Sequence, residues 1–525
     1  MLDLKPFPCY IIFCKKLLIW RWKILFTSKL VKFLEGEICL FANREFVLNK
    51  YKETKFCKLP TAAELRASLN ASIGSDVRNQ INMIFDVGTF VELGAYTKRT
   101  SSDFINTDKS GEFESVICGY GAIEGKLAFA FAEDATRMGG VIDDRHAKKI
   151  VDLYRLATDN GAAVIGIFNS NGADIFSGTS ALSAYGKIMS AVAKASGTIP
   201  QIAFVTGKCI GTSAAIAAMF DIVVKDDSAE LYVATPALTG IKNAQDSIIA
   251  YSAESAKCIS YIRSIVSYLP DNSSVGIVTD MCTDNLNKKL GDLNFAGNAV
   301  SMISAIADNA LFYEYSRAYA PEITVAFTSI GGVRCGVIAT SYSVGDGRIT
   351  ASGARKASKF INFCNSFSLP LVTLVDSDGL AVDKDSESAL FSSELAKLAF
   401  SYASATVPKV TVIVGHAIGA AFVLLGSKSL GADIVYAIDN SEIGALTAEA
   451  SVAFAWDKYI NEENTRDDLI LDWKSNISSP VHAAESGDID DIISTNELRL
   501  RLCSALLMLG AKGAASVSGR MVLPL

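Results

Sequence analysis

The sequence predicts an α/β protein built from two tandem copies of one domain. Three observations carry the prediction. Apolar β-branched runs alternate with segments of helical apolar spacing, which implies largely parallel strand pairing with helices layered on the sheets. Matched blocks recur in one order, with Gly211 and Gly419 lying 208 positions apart. A chain of 525 residues, half of them hydrophobic and a fifth charged, holds enough apolar material for several domains with full cores.

Each half reads as the same series of elements. In the first, VICGYGAIEGKLAFAFAED (116–134) is a β-hairpin with Gly121 or Gly125 near its turn. A helix at 144–158, a buried strand at 163–168 and a helix at 180–196 follow, then a strand at 201–206 that ends in a Gly207–Gly211 turn and a helix from Thr212. In the second, strands at 323–328 and 335–340 precede a helix at 353–367, a strand at 371–375, a helix at 388–404, a strand at 410–414 and a helix from about 420. Residues 243–320 have no counterpart in this pairing and read as a helical linker with a turn at 270–273.

The duplication is visible residue by residue. TIPQIAFVTGKCIGTSAAI (198–216) matches TVPKVTVIVGHAIGAAFVL (406–424), and AVIGIFNSNG (163–172) matches PLVTLVDSDG (370–379). Downstream, Asp221 and Asp433 each open an Asp-Ile-Val run and are followed nine positions on by an acid, Glu230 and Glu442, which read as strand-terminal residues. So long a period marks two whole domains rather than a solenoid. The expected division is a basic extension at 1–58, a first domain at 59–242, the linker at 243–320 and a second domain at 321–525.

Charge and composition exclude several classes. A net charge of −7 disfavours wholesale nucleic-acid binding. The 11 cysteines include no C-x-x-C pair, which disfavours a disulfide framework or a zinc ribbon. A mean hydropathy of +0.29 points to a membrane protein or to an oligomer that hides apolar surface. The uncharged run 410–427 reaches the length of a spanning helix, but its β-branched start followed by Gly415, His416 and Gly419 reads as strand, turn and helix start. The first 58 residues carry 12 Lys or Arg against 5 Asp or Glu, with no clear cleavage site. They read as a loosely docked extension or as a basic amphipathic surface helix, and the spacing of Cys9, Cys14, Cys39 and Cys57 fits no common zinc motif. The expected location is cytoplasmic.

The chemistry centres on glycine turns. Each half pairs two strand-to-helix turns, Ser170-Asn171-Gly172-Ala173 with Ile210-Gly211-Thr212, and Ser377-Asp378-Gly379-Leu380 with Ile418-Gly419-Ala420. Glycine allows close backbone approach, and the first N–H groups of a helix lack internal partners, so two of them aimed at one point form an oxyanion hole. Side-chain catalysis has less support. The histidines are His146, His416 and His482, and His416 is matched by Lys208, so no imidazole serves both halves. Asp174, Asp376 and Asp378 read as turn and cap residues.

At these blocks the chain resembles the biotin-dependent acyl-CoA carboxyltransferases, the β subunits of propionyl-CoA-type carboxylases and the matching subunit of acyl-CoA decarboxylases. VRNQINMIFDVGTFVEL (77–93), FAEDATRMGGVIDDRHAKKI (131–150), NSNGADIFSG (169–178), GKCIGTSAA (207–215) and PVHAAESGDIDDIISTNELRLRL (480–502) are similar to that family's blocks, in order, over about residues 60–525. The resemblance implies two tandem crotonase-like domains. It implies an active site between the first half of one protomer and the second half of another, within a dimer-based hexamer. The substrate would be a coenzyme A thioester, and the cofactor would be biotin brought by a biotin carrier protein. A biotin carboxylase subunit or membrane decarboxylase subunits would complete the assembly, without nucleic acid. Gly211 and Thr212, with Gly172 and Ala173, would offer N–H groups to the thioester enolate. Gly419 and Ala420, with Gly379 and Leu380, would serve the ureido oxygen of biotin. The family's Gly-Gly pairs become Gly211-Thr212 and Gly419-Ala420 here, and Asp174 replaces an Arg. These departures leave a second reading, a degenerate subunit that only supports its complex.

Overall fold

The computed structural model describes residues 61–512 apart from 72–74, 99–112, 241–245, 291–296, 383, 385–386, 388–389 and 462–464. The expectations for the basic extension and its four cysteines lie outside the described residues. The described residues 61–71 belong to a unit of their own. Its helix, Ala62–Ala71, starts in a capping box. The Thr61 hydroxyl accepts the Glu64 N–H at 3.2 Å, and the Glu64 carboxylate accepts the Thr61 N–H at 2.7 Å.

The second unit, 72–525, holds two eight-stranded sheets of one topology. The first consists of β1 (Val91–Leu93), β2 (Val116–Ile123), β3 (Lys126–Glu133), β4 (Ala163–Ser170), β5 (Gln201–Ile210), β6 (Ile222–Asp226), β7 (Glu230–Tyr232) and β8 (Ile249–Ala253). The second consists of β9 (Phe312–Tyr315), β10 (Ile323–Ile330), β11 (Val333–Thr340), β12 (Leu371–Ser377), β13 (Lys409–Ile418), β14 (Ile434–Ile438), β15 (Glu442–Gly444) and β16 (Asp491–Ile493). The order β1-β2-β3-β4-β5-β6-β8, with β7 on β5, is repeated as β9-β10-β11-β12-β13-β14-β16, with β15 on β13. The first three strands of each sheet pair antiparallel and the remaining pairs are parallel, as alternation with helices requires.

The expected elements are present, with two differences. Strands β5 and β13 run four residues further than the apolar runs predict, to Ile210 and Ile418. Their ends are paired by the short strands β7 and β15, through Lys208 with Glu230 and His416 with Glu442. Glu230 and Glu442 therefore open these strands rather than end them. The expected linker at 243–320 does carry helices, Ser255–Tyr268 and Ala299–Ile306, but it also supplies the edge strands β8 and β9. Among the described residues no helix is long and apolar enough to cross a membrane. The uncharged run 410–427 is most of β13, then Gly419 and a short helix Ala420–Leu424.

The duplication extends to the hairpin turns. Glu124 and Gly125 both have positive φ, as a two-residue hairpin requires, and the Asp86 carboxylate accepts their N–H groups at 3.1 and 2.9 Å. In the second sheet Gly331 and Gly332 take these places, and Asp308 accepts their N–H groups at 2.9 and 2.8 Å. Each aspartate meets an arginine from the helix after the last strand of its sheet: Arg263 lies 2.9 Å from Asp86, and Arg499 lies 2.6 Å from Asp308. The second pair is sealed, with Arg499 wholly buried among the Asn285 and Ile306 carbonyls and Asp284.

One hydrophobic core is common to both halves. It joins Ile165, Phe204 and Ile262 of the first to Phe327, Phe360 and Leu371 of the second. Tyr268, at the end of the helix Ser255–Tyr268, donates to the Thr328 carbonyl and accepts the Cys335 N–H at 2.8 Å. Tyr315 of β9 donates to the Asp221 carbonyl of the first half at 3.2 Å. The two ion pairs give a paired prediction. Arg499→Ala strands a buried carboxylate and lowers unfolding stability by about 3–5 kcal/mol, whereas Arg263→Ala breaks a partly exposed pair and costs about 1 kcal/mol. Urea unfolding followed by circular dichroism measures both.

Candidate active site

The site begins at the ends of neighbouring parallel strands. Ser170 of β4 lies opposite Cys209 of β5, and Ser377 of β12 lies opposite Ala417 of β13, each just past a register slip. Adjacent strands run roughly 4.8 Å apart, so the turns leaving them lie side by side, where open α/β sheets bind ligands. In each half the glycine conformations coincide. Gly211 has φ 60° and ψ −125°, and Gly419 has φ 56° and ψ −129°. Gly172 and Gly379 both have φ 108°. L-residues rarely adopt these conformations, which is why glycine stands at these bends.

The structure corrects which groups are available as donors. Gly211 and Gly419 are not the donors expected, because β7 and β15 engage them: the Gly211 N–H goes to the Tyr232 carbonyl at 3.0 Å and the Gly419 N–H to the Gly444 carbonyl at 2.8 Å. Gly172 and Gly379 are committed as well. The buried Ser170 hydroxyl accepts the Gly172 N–H at 3.0 Å, and the Ser377 hydroxyl accepts the Gly379 N–H at 3.2 Å. The residues after the glycines are different. Ala173 and Leu380 pair as isolated bridges with Ile142 and Ile349 through the groups on either side of them. The Gly172 carbonyl accepts from Ile142 while Asp174 donates to the Ile142 carbonyl, and Gly379, Ala381 and Ile349 repeat this pattern. The N–H groups of Ala173 and Leu380 therefore point away from the bridge. Thr212 and Ala420 are the first residues of their helices, so their N–H groups have no intrahelical acceptor. Each half thus presents two neighbouring main-chain donors, Ala173 with Thr212 and Leu380 with Ala420.

A second layer supports these bends. Asn169 Oδ1 accepts the Lys208 N–H at 3.3 Å, and Asp376 Oδ1 accepts the His416 N–H at 2.9 Å. Gly207 and Gly415 permit this approach, since a Cβ there would sit 2.2 Å from Asn169 Oδ1 and 2.3 Å from Asp376 Oδ1. Beneath them Glu133 accepts the Asn169 N–H at 3.0 Å, and Thr340 accepts the Asp376 N–H at 2.6 Å. Burial pushes the Glu133 carboxyl up to about 8, with the Asn169 N–H opposing the shift. The Asp376 carboxyl is also raised by burial, against the pull of His416. Sequence reading missed Ser170, Ser377, Asn169 and Glu133, although the two serines occupy one repeat position in the matched blocks.

The remaining candidates divide. Asp174 caps as expected, accepting the Phe176 N–H at 3.1 Å and the Ser177 hydroxyl at 3.0 Å. Asp378 is no cap: it faces His416 and Tyr342. His146 is buried beside Ser115, Glu114 and Glu133. The surroundings of the two bends also differ. A Cβ on Gly211 would meet nothing within 4 Å, while one on Gly419 would lie 3.2 Å from the Ala445 carbonyl. Large apolar side chains stand exposed near each bend, Ile175, Phe176 and Leu182 in the first half and Val382, Val423 and Leu446 in the second.

Two sheets of one topology, each with matched glycine bends at neighbouring parallel strand ends, define a duplicated crotonase-like α/β protein. The carboxyl transferase domain matches residues 74–518, and the chain belongs to that family of enzymes. It is 31% identical over 473 residues to the methylmalonyl-CoA decarboxylase subunit alpha of Propionigenium modestum, spanning 84% of this chain and 92% of that one. It is 30% identical over 464 residues to the mitochondrial propionyl-CoA carboxylase beta chain of Homo sapiens, spanning 83% and 85%. Among solved structures, hexameric transcarboxylase 12S with methylmalonyl-coenzyme A and methylmalonic acid bound superposes with a TM-score of 0.81 at 27% identity, over 89% of this chain and 99% of that one. The resemblance read from the sequence is borne out at the level of family and fold.

The second layer yields a pH prediction. The folded Glu133 carboxyl is raised to about 8, above its unfolded value, so its contribution is fully present below about pH 4.5 and is lost as pH rises through 8. Glu133→Gln therefore flattens the fall in stability across this window, read as urea midpoints at successive pH values.

Proposed function

We propose that this chain transfers a carboxyl group between biotin on a carrier protein and an acyl-CoA. The observation that carries the proposal is the bend built twice, with matching dihedral angles and the same two outward N–H groups. Ala173 and Thr212 would hold the thioester oxygen of the acyl-CoA, and Leu380 and Ala420 the ureido oxygen of biotin. Biotin, when bound, supplies the carboxyl group and an oxygen on which charge gathers. The donor set fits such an oxygen, since both groups are neutral, fixed by the sheet and free of competing acceptors. Stabilising each oxygen more as it becomes anionic lowers the barrier, and holding both reactants supplies much of the rest.

The relatives' names favour a short acyl-CoA of the propionyl or methylmalonyl type. Asp174 spends its carboxylate locally, so it takes no part in holding the CoA phosphates. The exposed apolar residues at both bends favour a site closed by a second copy of the chain, within an oligomer like that of the solved relative. Partners supplying carboxylated biotin, either a biotin carboxylase subunit or membrane decarboxylase subunits, and a cytoplasmic location complete the reading. The preserved donors favour an enzyme over a degenerate supporting subunit.

Exchange of label between a malonyl-type CoA and biocytin tests the proposal. Proline is well tolerated at the first position of a helix and removes only an N–H, so Thr212→Pro and Ala420→Pro are the informative variants. Each should lower exchange by about 10²-fold or more with unchanged circular dichroism. Full activity in both variants, or no exchange by the wild type, overturns the reading.

A further inference from the structure

The two halves differ where three equivalent positions meet. The first has Ala135, Asn171 and Lys208; the second has Tyr342, Asp378 and His416, each 207 or 208 positions on. In the second half these three side chains touch. His416 Nδ1 lies 3.2 Å from Asp378 Oδ1 and 4.0 Å from Asp376 Oδ1. Tyr342 donates to Asp378 Oδ2 at 3.1 Å and sets its ring edge-on to the imidazole at 4.7 Å. His416 stands four residues before Ala420 on the same chain segment, and Asp378 two before Leu380, so the cluster is built into both arms of the bend.

We infer that His416 is the proton-holding residue of the second bend, with Nε2 as the exchanging atom and with the charge of Asp378, itself held by Tyr342, favouring the proton on Nδ1. The inference rests on the assignment of that bend to biotin. Nδ1 is buried and makes no hydrogen bond, but the groups nearest it are the Asp378 and Asp376 carboxylate oxygens, whose charge favours a proton on that nitrogen. The ring is 33% exposed while Nδ1 is sealed, which leaves the Nε2 edge open to solvent and ligand. A carboxylate charge beside one ring nitrogen favours the tautomer that leaves the other nitrogen free to exchange a proton. The groups that face it support this role. Tyr342 stays protonated, its phenol pushed up to about 12 by burial and by Asp378. Asp376 also accepts the His416 main-chain N–H. Glu442, opposite in β15, is committed to the Ala448 N–H at 2.8 Å and to Lys474 at 3.3 Å. Nε2 therefore takes up and releases its proton at the bend itself, where charge gathers on a bound ligand.

With three histidines in the chain, imidazole ¹⁵N resonances are tractable, and His416→Gln identifies its signal by loss. In the wild type at high pH the proton should reside on Nδ1, and Asp378→Asn should shift the tautomer toward Nε2. Biocytin should move the His416 resonance and leave that of His482 in place. In the exchange assay His416→Gln should lower kcat by about 10²-fold, flatten the pH profile between about pH 5 and 8, and leave KM for the acyl-CoA unchanged. A wild-type Nε2–H tautomer, a resonance indifferent to biocytin, or an unaltered pH profile in His416→Gln overturns the inference. Exchange that persists in that variant while Ala420→Pro abolishes it overturns the inference alone. A wild type inert in exchange overturns the carboxyl-transfer reading together with it.

Discussion

A peptide N–H inside a protein needs an acceptor, and one left unanswered when buried costs about 1–3 kcal/mol. The ends of these two sheets are organised around that constraint. Several donors near each bend are spent: Gly211 and Gly419 on the short strands, Gly172 and Gly379 on buried serines, and Asp174 and Ala381 on the bridges to Ile142 and Ile349. Ala173 with Thr212, and Leu380 with Ala420, are left at exposed or half-exposed positions with N–H groups that still need an acceptor. An oxygen gaining negative charge is such an acceptor, and no donor has to move to meet it. The glycine conformations, the register slips and the second layer all serve to keep those pairs aimed outward.

Duplication made two copies of this arrangement, and later change separated them by side chains rather than by backbone. The strand order, hairpin turns and bend dihedral angles agree between the halves. The positions around them do not. Glu133 and Asn169 become Thr340 and Asp376, and the open space beside Gly211 narrows beside Gly419. The two bends thus share their main-chain course but are walled by different side chains.

Much of this was legible in the sequence, and the gaps have physical causes. The blocks at 198–216 and 406–424 reveal the duplication because buried strands and glycine bends tolerate few residue types. The hairpins, the central strands and the bends at Gly211 and Gly419 follow from periodicity and glycine placement. Strands β8 and β9 escaped notice because five and four residues at a sheet edge leave too short a pattern. Gly211 and Gly419 could not be separated from the other expected donors because the direction of an N–H depends on strand pairing, which Tyr232 and Gly444 decide from outside the motif. The acid and serine layer was hidden for a similar reason, since Ser170 and Asn169 acquire their roles only when β4 and β5 lie together.

The common core carries a mechanical consequence. Helix Ser255–Tyr268 belongs to one sheet by packing and to the other by its terminal tyrosine, and Tyr315 ties the reverse way. Opening a hinge between two lobes joined in this manner would expose shared apolar core and break both tyrosine ties, so the fold resists any change in the spacing of the two bends.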